Sequence, residues 1–363
     1  MFIQHIKRHQ EPLMNTIAIA SPFTLPARCG NSILARRMQQ GLHERGFTVR
    51  LFNAAQDDPG EAASLQPDLI HSIHTLRPAR WLDRLFSRCH APLFVTLTGT
   101  DYNNLDGVDA HHVTLERYWR KAAALVVFHH EAREYVVSRM PWTEPKMHII
   151  PQGVSAPVSV PDRSSIRKEY GLPAHDIVFL MVSGIRPVKN IPFALEAFQQ
   201  IEQRLTNVTL VHVGPELDSD EARRVQEIGK KLRSFYLLGS KTRTDVEKLM
   251  AGADVFLNTS LHEGMSGALL EAMAAGLPVI ATDILGNVPL VRAQHNGCLV
   301  SLHNNQELVE AALTLSVDTA QRKALGAQGK QRAIEDFSIQ QELDRYHTLY
   351  RKILQPEVTD ICR

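Results

Sequence analysis

The sequence predicts an α/β protein made of two Rossmann-like, doubly wound parallel-sheet domains facing across a cleft. Three observations carry this. Short runs rich in Val, Ile, Leu and Phe at consecutive positions suit strands buried on both faces of a parallel sheet. Helix-length stretches alternate with them along the chain. A segment with three prolines, PQGVSAPVSVPD at 151–162, divides the alternation into two series. The length, 363 residues, fits roughly two domains at about 150 residues each.

The chain opens with MFIQHIKRHQEPLMN, which is polar and basic and has no apolar core like that of a secretory signal. Residues 1–15 are expected to be an extension, with Met14 as an alternative start and a cytoplasmic location. The first domain is expected over 16–155. Its strands fall at 16–21, 48–53, 68–72, 93–98, 125–128 and 148–150. A helix at 33–45 places Ile33, Leu34, Met38 and Leu42 on roughly one face. A linker follows at 156–175. The second domain, 176–336, has strands at 177–183, 208–213, 234–238, 255–258, 278–281 and 298–300. Helices are expected between them, at 192–204, 219–232, 244–251, 267–275 and 306–315. Two more close the chain, at 319–334 and 339–354.

Composition narrows the function classes. Forty basic and 39 acidic side chains leave a formal net charge of +1. The split is +3 over 1–155 and −2 over the rest, which excludes a basic nucleic-acid binder and an acidic-tail protein. No apolar run approaches the ~18 residues of a membrane span. Cys29, Cys89, Cys298 and Cys362 are scattered and form no CxxC, so neither a disulfide framework nor a cysteine metal site is indicated. SPFTLPARCGNS, after the first strand, has one glycine where a dinucleotide oxidoreductase needs GxGxxG. Arg36, Arg37 and Arg45 are too few to argue peripheral membrane contact.

The densest chemical signal is HEGMSGALLEAMAAGLPVIATD, 262–283, after the buried strand in ADVFLNTS. Glu263 lies in the loop and Glu271 in the second turn of the helix. The helix start exposes the N–H groups of Met265, Ser266 and Gly267, where a phosphate or sugar hydroxyl is a natural guest. From 266 to 271 a helix rises about 7.5 Å. Two carboxylates at separated heights around an anion-attracting patch suit a nucleotide sugar. The alternative is two surface charges, but Glu271 sits among Ala268, Leu269, Leu270, Ala272 and Met273, where a solvated position is less expected. The second signal is SGIRPVKN, 183–190, after the strand IVFLMV. An arginine such as Arg186 can bridge two phosphate oxygens, and a lysine such as Lys189 supplies a compact charge. A solvated basic turn is the alternative. Asp218 and Asp220 fit a metal-binding D-x-D pattern, but they fall at a helix start, where capping explains them.

Taken in order, SGIRPVKN, TLVHVGPELD, YLLGSKTRTDVEKLM, ADVFLNTSLHEGMSGALLEAMAAGLPVIATD and GNVPLV resemble the nucleotide-binding half of family 4 glycosyltransferases, which have the GT-B architecture. Seven residues separate Glu263 from Glu271, as in that family's glutamate pair. GNSILA, PDLIHSIHTLR, LTGTD and IIPQGV in the first half also fit, so the resemblance covers nearly the whole chain. Within the family it is narrowest toward the glycosyltransferase-1-domain-containing subgroup and, less closely, toward selenosugar synthases.

The resemblance implies a retaining hexosyltransferase using a nucleotide-sugar donor, with UDP as its nucleotide, and no metal or other cofactor. The acceptor is a small molecule or glycan, or in the selenosugar alternative selenophosphate or a similar anion. A second alternative is a nucleotide-sugar-binding protein without turnover. By the resemblance Glu271 binds the ribose, Glu263 the donor sugar, and the amides of Met265 and Ser266 help hold that sugar. Arg186 and Lys189 neutralise the diphosphate. Gly239, Lys241 and Thr242 lie beside the base, while Gly30 and Asn31 approach the diphosphate from the first domain. The last helix, within 337–363, returns to the first domain. Two positions depart from the pattern. Gly184 stands where many members carry arginine, and Thr98 where many carry a sugar-contact histidine. His74 is a candidate substitute, against a structural histidine. Arg77 could attract an anionic acceptor, against a surface arginine. Asp101 either positions an acceptor or caps the segment that follows.

Overall fold

The computed structural model describes residues 15–24, 30–103, 105, 110–155 and 161–355. The first sheet comprises β1 (Thr16–Ser21), β2 (Thr48–Asn53), β3 (Leu69–Ile73), β4 (Leu93–Thr96), β5 (Ala122–Val127) and β6 (Met147–Ile149), in the order β2-β1-β3-β4-β5-β6. Its helices are α1 (Gly30–His43), α2 (Pro59–Ser64), α3 (Ala79–Phe86), α4 (Ala110–Lys121) and α5 (His130–Arg139). Next come α6 (Arg163–Glu169), β7 (Ile177–Val182), α7 (Ile191–Arg204), β8 (Val208–Val213), α8 (Ser219–Gly229), β9 (Phe235–Leu237), α9 (Arg243–Gly252), β10 (Val255–Asn258), α10 (Gly267–Ala274), β11 (Val279–Thr282) and β12 (Gly297–Val300). The second sheet runs β12-β11-β10-β7-β8-β9, parallel throughout. Helices α11 (Asn305–Val317), α12 (Thr319–Asp336) and α13 (Ile339–Leu354) follow. Among the described residues, no helix is long and apolar enough to cross a membrane.

The described residues divide into two compact units. One comprises 15–24, 30–96, 110–126 and 345–355; the other comprises 97–103, 105, 127–155 and 161–344.

In the first unit every β3 residue is buried, as consecutive apolar positions in a parallel strand require. On α1 the buried seam runs through Leu34, Met38 and Leu42, whereas Ile33 is exposed, because i, i+4, i+8 spacing leaves position 33 off the stripe. One polar group sits in this core. His71, on β3, bonds Tyr350 Oη on α13 through Nδ1 and Thr96 Oγ1 on β4 through Nε2 at 2.7 Å. Thr96 Oγ1 in turn lies 3.0 Å from Tyr346 Oη. The Tyr350 ring meets Phe94 edge-on at 5.0 Å and Phe47 at 5.8 Å. Hydrogen bonding offsets the cost of burying these polar atoms, and the rings contribute apolar area.

In the second unit Phe179 and Phe198 stack edge to face at 5.1 Å within an apolar cluster under β7, β8 and β10. The segment expected to be linker carries α6, which the sequence reading did not anticipate. Asp162 caps it, its carboxylate accepting from the Ser164 and Ser165 amides. Buried Arg167 on α6 donates to Asp254 Oδ2 at 2.6 Å and to the carbonyls of Gly252, Pro173, Ala174 and Asp176. Asp254 also accepts from the Val178 amide at 2.8 Å, so α6 is tied to the entry of β7 by a fully partnered buried charge pair.

Burial pushes the His71 imidazole down to about 3. The unfolded chain therefore takes up this proton first, near pH 6.5. Its contribution to stability is complete above about 6.5 and is lost as the pH falls toward 3. Thermal melts should show the melting temperature dropping over that window. His71→Gln should start lower at pH 7 and lose less between pH 7 and pH 4.

Candidate functional site

The order of the second sheet reverses at β7: β8 and β9 lie on one side, β10, β11 and β12 on the other. Loops leaving the carboxyl ends of β7 and β10 are thus neighbours at a topological switch point, the place where open α/β sheets bind ligands. These are the two loops that the sequence singles out. Residues 187–189 form one 3-10 turn, and Asn190 takes a left-handed backbone (φ 48°) to start α7. The Leu261 amide donates to Val188 O at 2.9 Å. The Thr259 hydroxyl donates to the carbonyls of Lys189 and Asn190 at 3.0 and 3.1 Å. Each loop therefore fixes the other.

At their junction Lys189 Nζ lies 2.6 Å from Glu263 Oε1, and the Ser260 hydroxyl donates to the same oxygen at 2.8 Å. Only 15% and 13% of the two charged side chains are exposed. Burial pushes the Glu263 carboxyl up. The Lys189 ammonium, the Ser260 hydroxyl and the Arg186 guanidinium outweigh it and hold the group below the ordinary carboxylate range. Glu263 is therefore an anion in a partly dry site. The Arg186 Nε is buried without a hydrogen-bond partner among the described residues. A buried, unpaired guanidinium nitrogen is costly and points to an anionic guest.

The start of α10 is held by a buried amide and hydroxyl network. Ser266 caps the helix, its hydroxyl accepting from the Leu269 amide and from Asn258 Nδ2 at 2.9 Å. Asn258 Oδ1 accepts from the Ser260 amide at 3.0 Å and lies 3.4 Å from Asn287 Nδ2. Asn287 Nδ2 donates to Thr282 O at 3.0 Å, and the Thr282 hydroxyl donates to Ser260 O at 2.6 Å. The loop after β10 is thereby fastened to β11. Among the described residues no hydrogen bond engages the amides of Met265, Ser266 and Gly267, which leaves the positive helix end open. Gly264 is required by close approach: a Cβ there would lie 2.3 Å from Thr98 O and 2.9 Å from the Gly99 amide nitrogen.

The other expected residues are distributed as follows. Glu271 is half-buried on α10, and its carboxylate pairs with Arg243 Nη1 at 3.0 Å. Gly239 has a left-handed backbone (φ 64°), and its carbonyl accepts from the Gly214 amide. Lys241 is half-buried beside it. The Thr242 hydroxyl and amide are both committed to a capping box with Asp245, and its carbonyl accepts from the Val246 amide. Asp101 is buried, with Oδ1 accepting from the amides of Thr98 and Gly99 at 2.8 and 3.0 Å, which organises the turn after β4. Gly30, Asn31, His74 and Arg77 belong to the first unit. Gly30 is exposed and Asn31 half-buried at the start of α1. His74 is buried with φ 75°, and its Nδ1 faces the amides of Leu76 and Arg77 at 3.1 and 3.4 Å. Arg77 is exposed, with its guanidinium 5.6 Å from the Phe23 ring. Asp218 accepts from the amides of Asp220 and Glu221 as the cap of α8, and among the described residues no cluster of three His, Cys, Asp or Glu could hold a metal.

The structure thus brings Arg186, Lys189 and Glu263 together beside Met265 and Ser266. Sequence reading missed Asn258, Ser260, Arg243 and His129. Asn258 carried a signal, as a polar residue ending a buried strand.

The family model described as glycosyl transferases group 1 matches residues 162–332. Glycosyltransferase 1 domain-containing protein 1 of Xenopus tropicalis is 26% identical over 90% of this chain and 95% of its own length. The Escherichia coli UDP-Gal:alpha-D-GlcNAc-diphosphoundecaprenol alpha-1,3-galactosyltransferase is 29% identical over 62% of this chain and 59% of its own length. Among solved structures, Anabaena HepE in complex with UDP and glucose superposes with a TM-score of 0.78 at 18% identity, covering 93% of this chain and all of HepE. Sucrose-phosphate synthase from Thermosynechococcus elongatus superposes at 0.79 with 21% identity, covering 93% of this chain and 99% of its own. The fold is GT-B.

Gly264→Ala should lower the melting temperature, because its methyl group meets backbone that cannot yield; overpacking of this kind costs about 1–3 kcal/mol. Gly30→Ala, whose Cβ meets nothing within 4 Å, should stay within about 0.5 kcal/mol in a urea titration.

Proposed function

We propose that this chain, whose residues 162–332 match the family model described as glycosyl transferases group 1, is a glycosyltransferase that transfers a hexose from a UDP-sugar with retention of anomeric configuration. The observation that carries this reading is the pairing of Lys189 with Glu263 beside the unpartnered Arg186 Nε and the open amides at the start of α10. Two cations and a helix terminus converge on one strand-end junction, with an ionised acceptor between them. UDP as the nucleotide is supported by the name of the E. coli relative and by the complexes of HepE.

In this reading Arg186 and Lys189 bind the diphosphate. Glu263 accepts from donor-sugar hydroxyls, the amides of Met265 and Ser266 hold the sugar and the diphosphate joined to it, and Glu271 takes the ribose diol. Gly239, Lys241 and Thr242 lie beside the base. Negative charge grows on the leaving diphosphate as the glycosidic bond breaks, and the cations and helix end stabilise it in place. They supply charge that a divalent metal supplies in other transferases, so the reaction needs no metal. Glu263 is engaged by Lys189 and Ser260, which disfavours it as a nucleophile and favours attack by the acceptor on the sugar face that the diphosphate leaves. The acceptor is a small molecule or glycan, with His74, Arg77 and Asp101 as its candidate contacts.

A panel of UDP-hexoses incubated with cell extract, read by mass spectrometry, should give one glycosylated product and UDP. Lys189→Ala and Glu263→Ala should each reduce UDP release by about 10²–10³-fold while the protein stays folded. EDTA should leave the rate unchanged. UDP release only when selenophosphate is added would identify the selenosugar reaction. Donor binding without product from any acceptor would identify a binding protein, and full activity in either variant would refute the assigned roles.

A further inference from the structure

We propose that His129 is a positioning residue that aims the Met265 amide at the donor diphosphate, an inference that rests on the donor reading of the 263–266 loop. His129 follows β5 and caps α5, and its Nδ1 accepts from the Ala132 amide at 3.1 Å. The ring is buried, and burial holds its pKa below the ordinary histidine value, so it is neutral. With Nδ1 accepting, the proton resides on Nε2. That nitrogen lies 2.8 Å from Gly264 O, to which it donates. Both residues belong to the second unit. The Glu131 carboxylate lies 3.2 Å from Nδ1, and His130 is the other titratable group facing the ring.

The consequence follows from peptide geometry. Gly264 C=O and Met265 N–H share one planar trans unit, in which they point in opposite directions. A donor clamped on the carbonyl therefore turns the Met265 N–H away from His129 and prevents the unit from rotating. The same hydrogen bond polarises the peptide and strengthens the N–H as a donor. The backbone of Thr98 and Gly99 packs closely against Gly264. Capping alone does not explain a histidine here. Serine, threonine, aspartate or asparagine caps a helix as well, but none of them spans both the α5 amide and the Gly264 carbonyl.

The two nitrogens can be tested separately in the full-length chain. His129→Asn keeps an acceptor at the Nδ1 position and loses the donor to Gly264. His129→Gln keeps a donor at the Nε2 position and loses the cap. Calorimetric titration with UDP should show His129→Asn binding about 3–10-fold more weakly at a near-native melting temperature, the loss of one hydrogen bond. His129→Gln should bind like wild type at a lower melting temperature. Affinity falling in parallel with melting temperature in both variants would make His129 merely structural and overturn the proposal, as would native affinity in His129→Asn. Wild-type protein that binds no UDP would instead bring down the donor reading, and this proposal with it.

Discussion

A carboxylate that stays ionised although most of it is out of water sets the terms for the rest of this structure. Left unpaired, Glu263 would take up a proton or force its loop into solvent. Lys189, Ser260 and Arg186 keep it charged, and they come from different places: a turn after β7 and the loop after β10. The ion pair is therefore also a joint. It is affordable only where two strand-end loops are neighbours, which is why it sits where the strand order of the second sheet reverses.

Around that joint the backbone is built to tight tolerance. Gly264 exists because neighbouring backbone leaves no space for a side chain. Asn258 reads three loop groups with one amide, and Asn287 anchors it to β11. Such a network is worth more whole than in parts, since each missing partner strands another polar atom in a dry site. The result is a helix start whose free amides are fixed before any ligand arrives. Preorganised dipoles of this kind carry electrostatic catalysis without reorganisation during the reaction.

Much of this was legible beforehand. Buried parallel strands announce themselves as unbroken apolar runs, so β1, β2, β8 and β10 match the ranges read from sequence. Arg186, Lys189 and Glu263 stood out because their loops follow buried strands and lead into helices, where α/β sheets bind ligands. Their mutual pairing did not, because which cation meets which carboxylate depends on two loops whose paired residues are 74 apart in sequence. Helix α6 was hidden by the prolines before it, although Asp162, just ahead of the helical stretch, is a capping residue. Thr242 and Asp101 show a further limit: a polar side chain at a strand end reads as a binding group until the structure shows it bonding its own turn. His129 gave no signal, since it stands beside His130 at the end of an apolar run and matches no motif.

The most direct test is the position of UDP in a co-crystal of the full-length chain. The account predicts the diphosphate against Arg186, Lys189 and the amides at the start of α10, with the ribose hydroxyls on the Glu271 carboxylate. Density for the nucleotide at any other place, with Lys189 and Glu263 still paired and untouched, would contradict it.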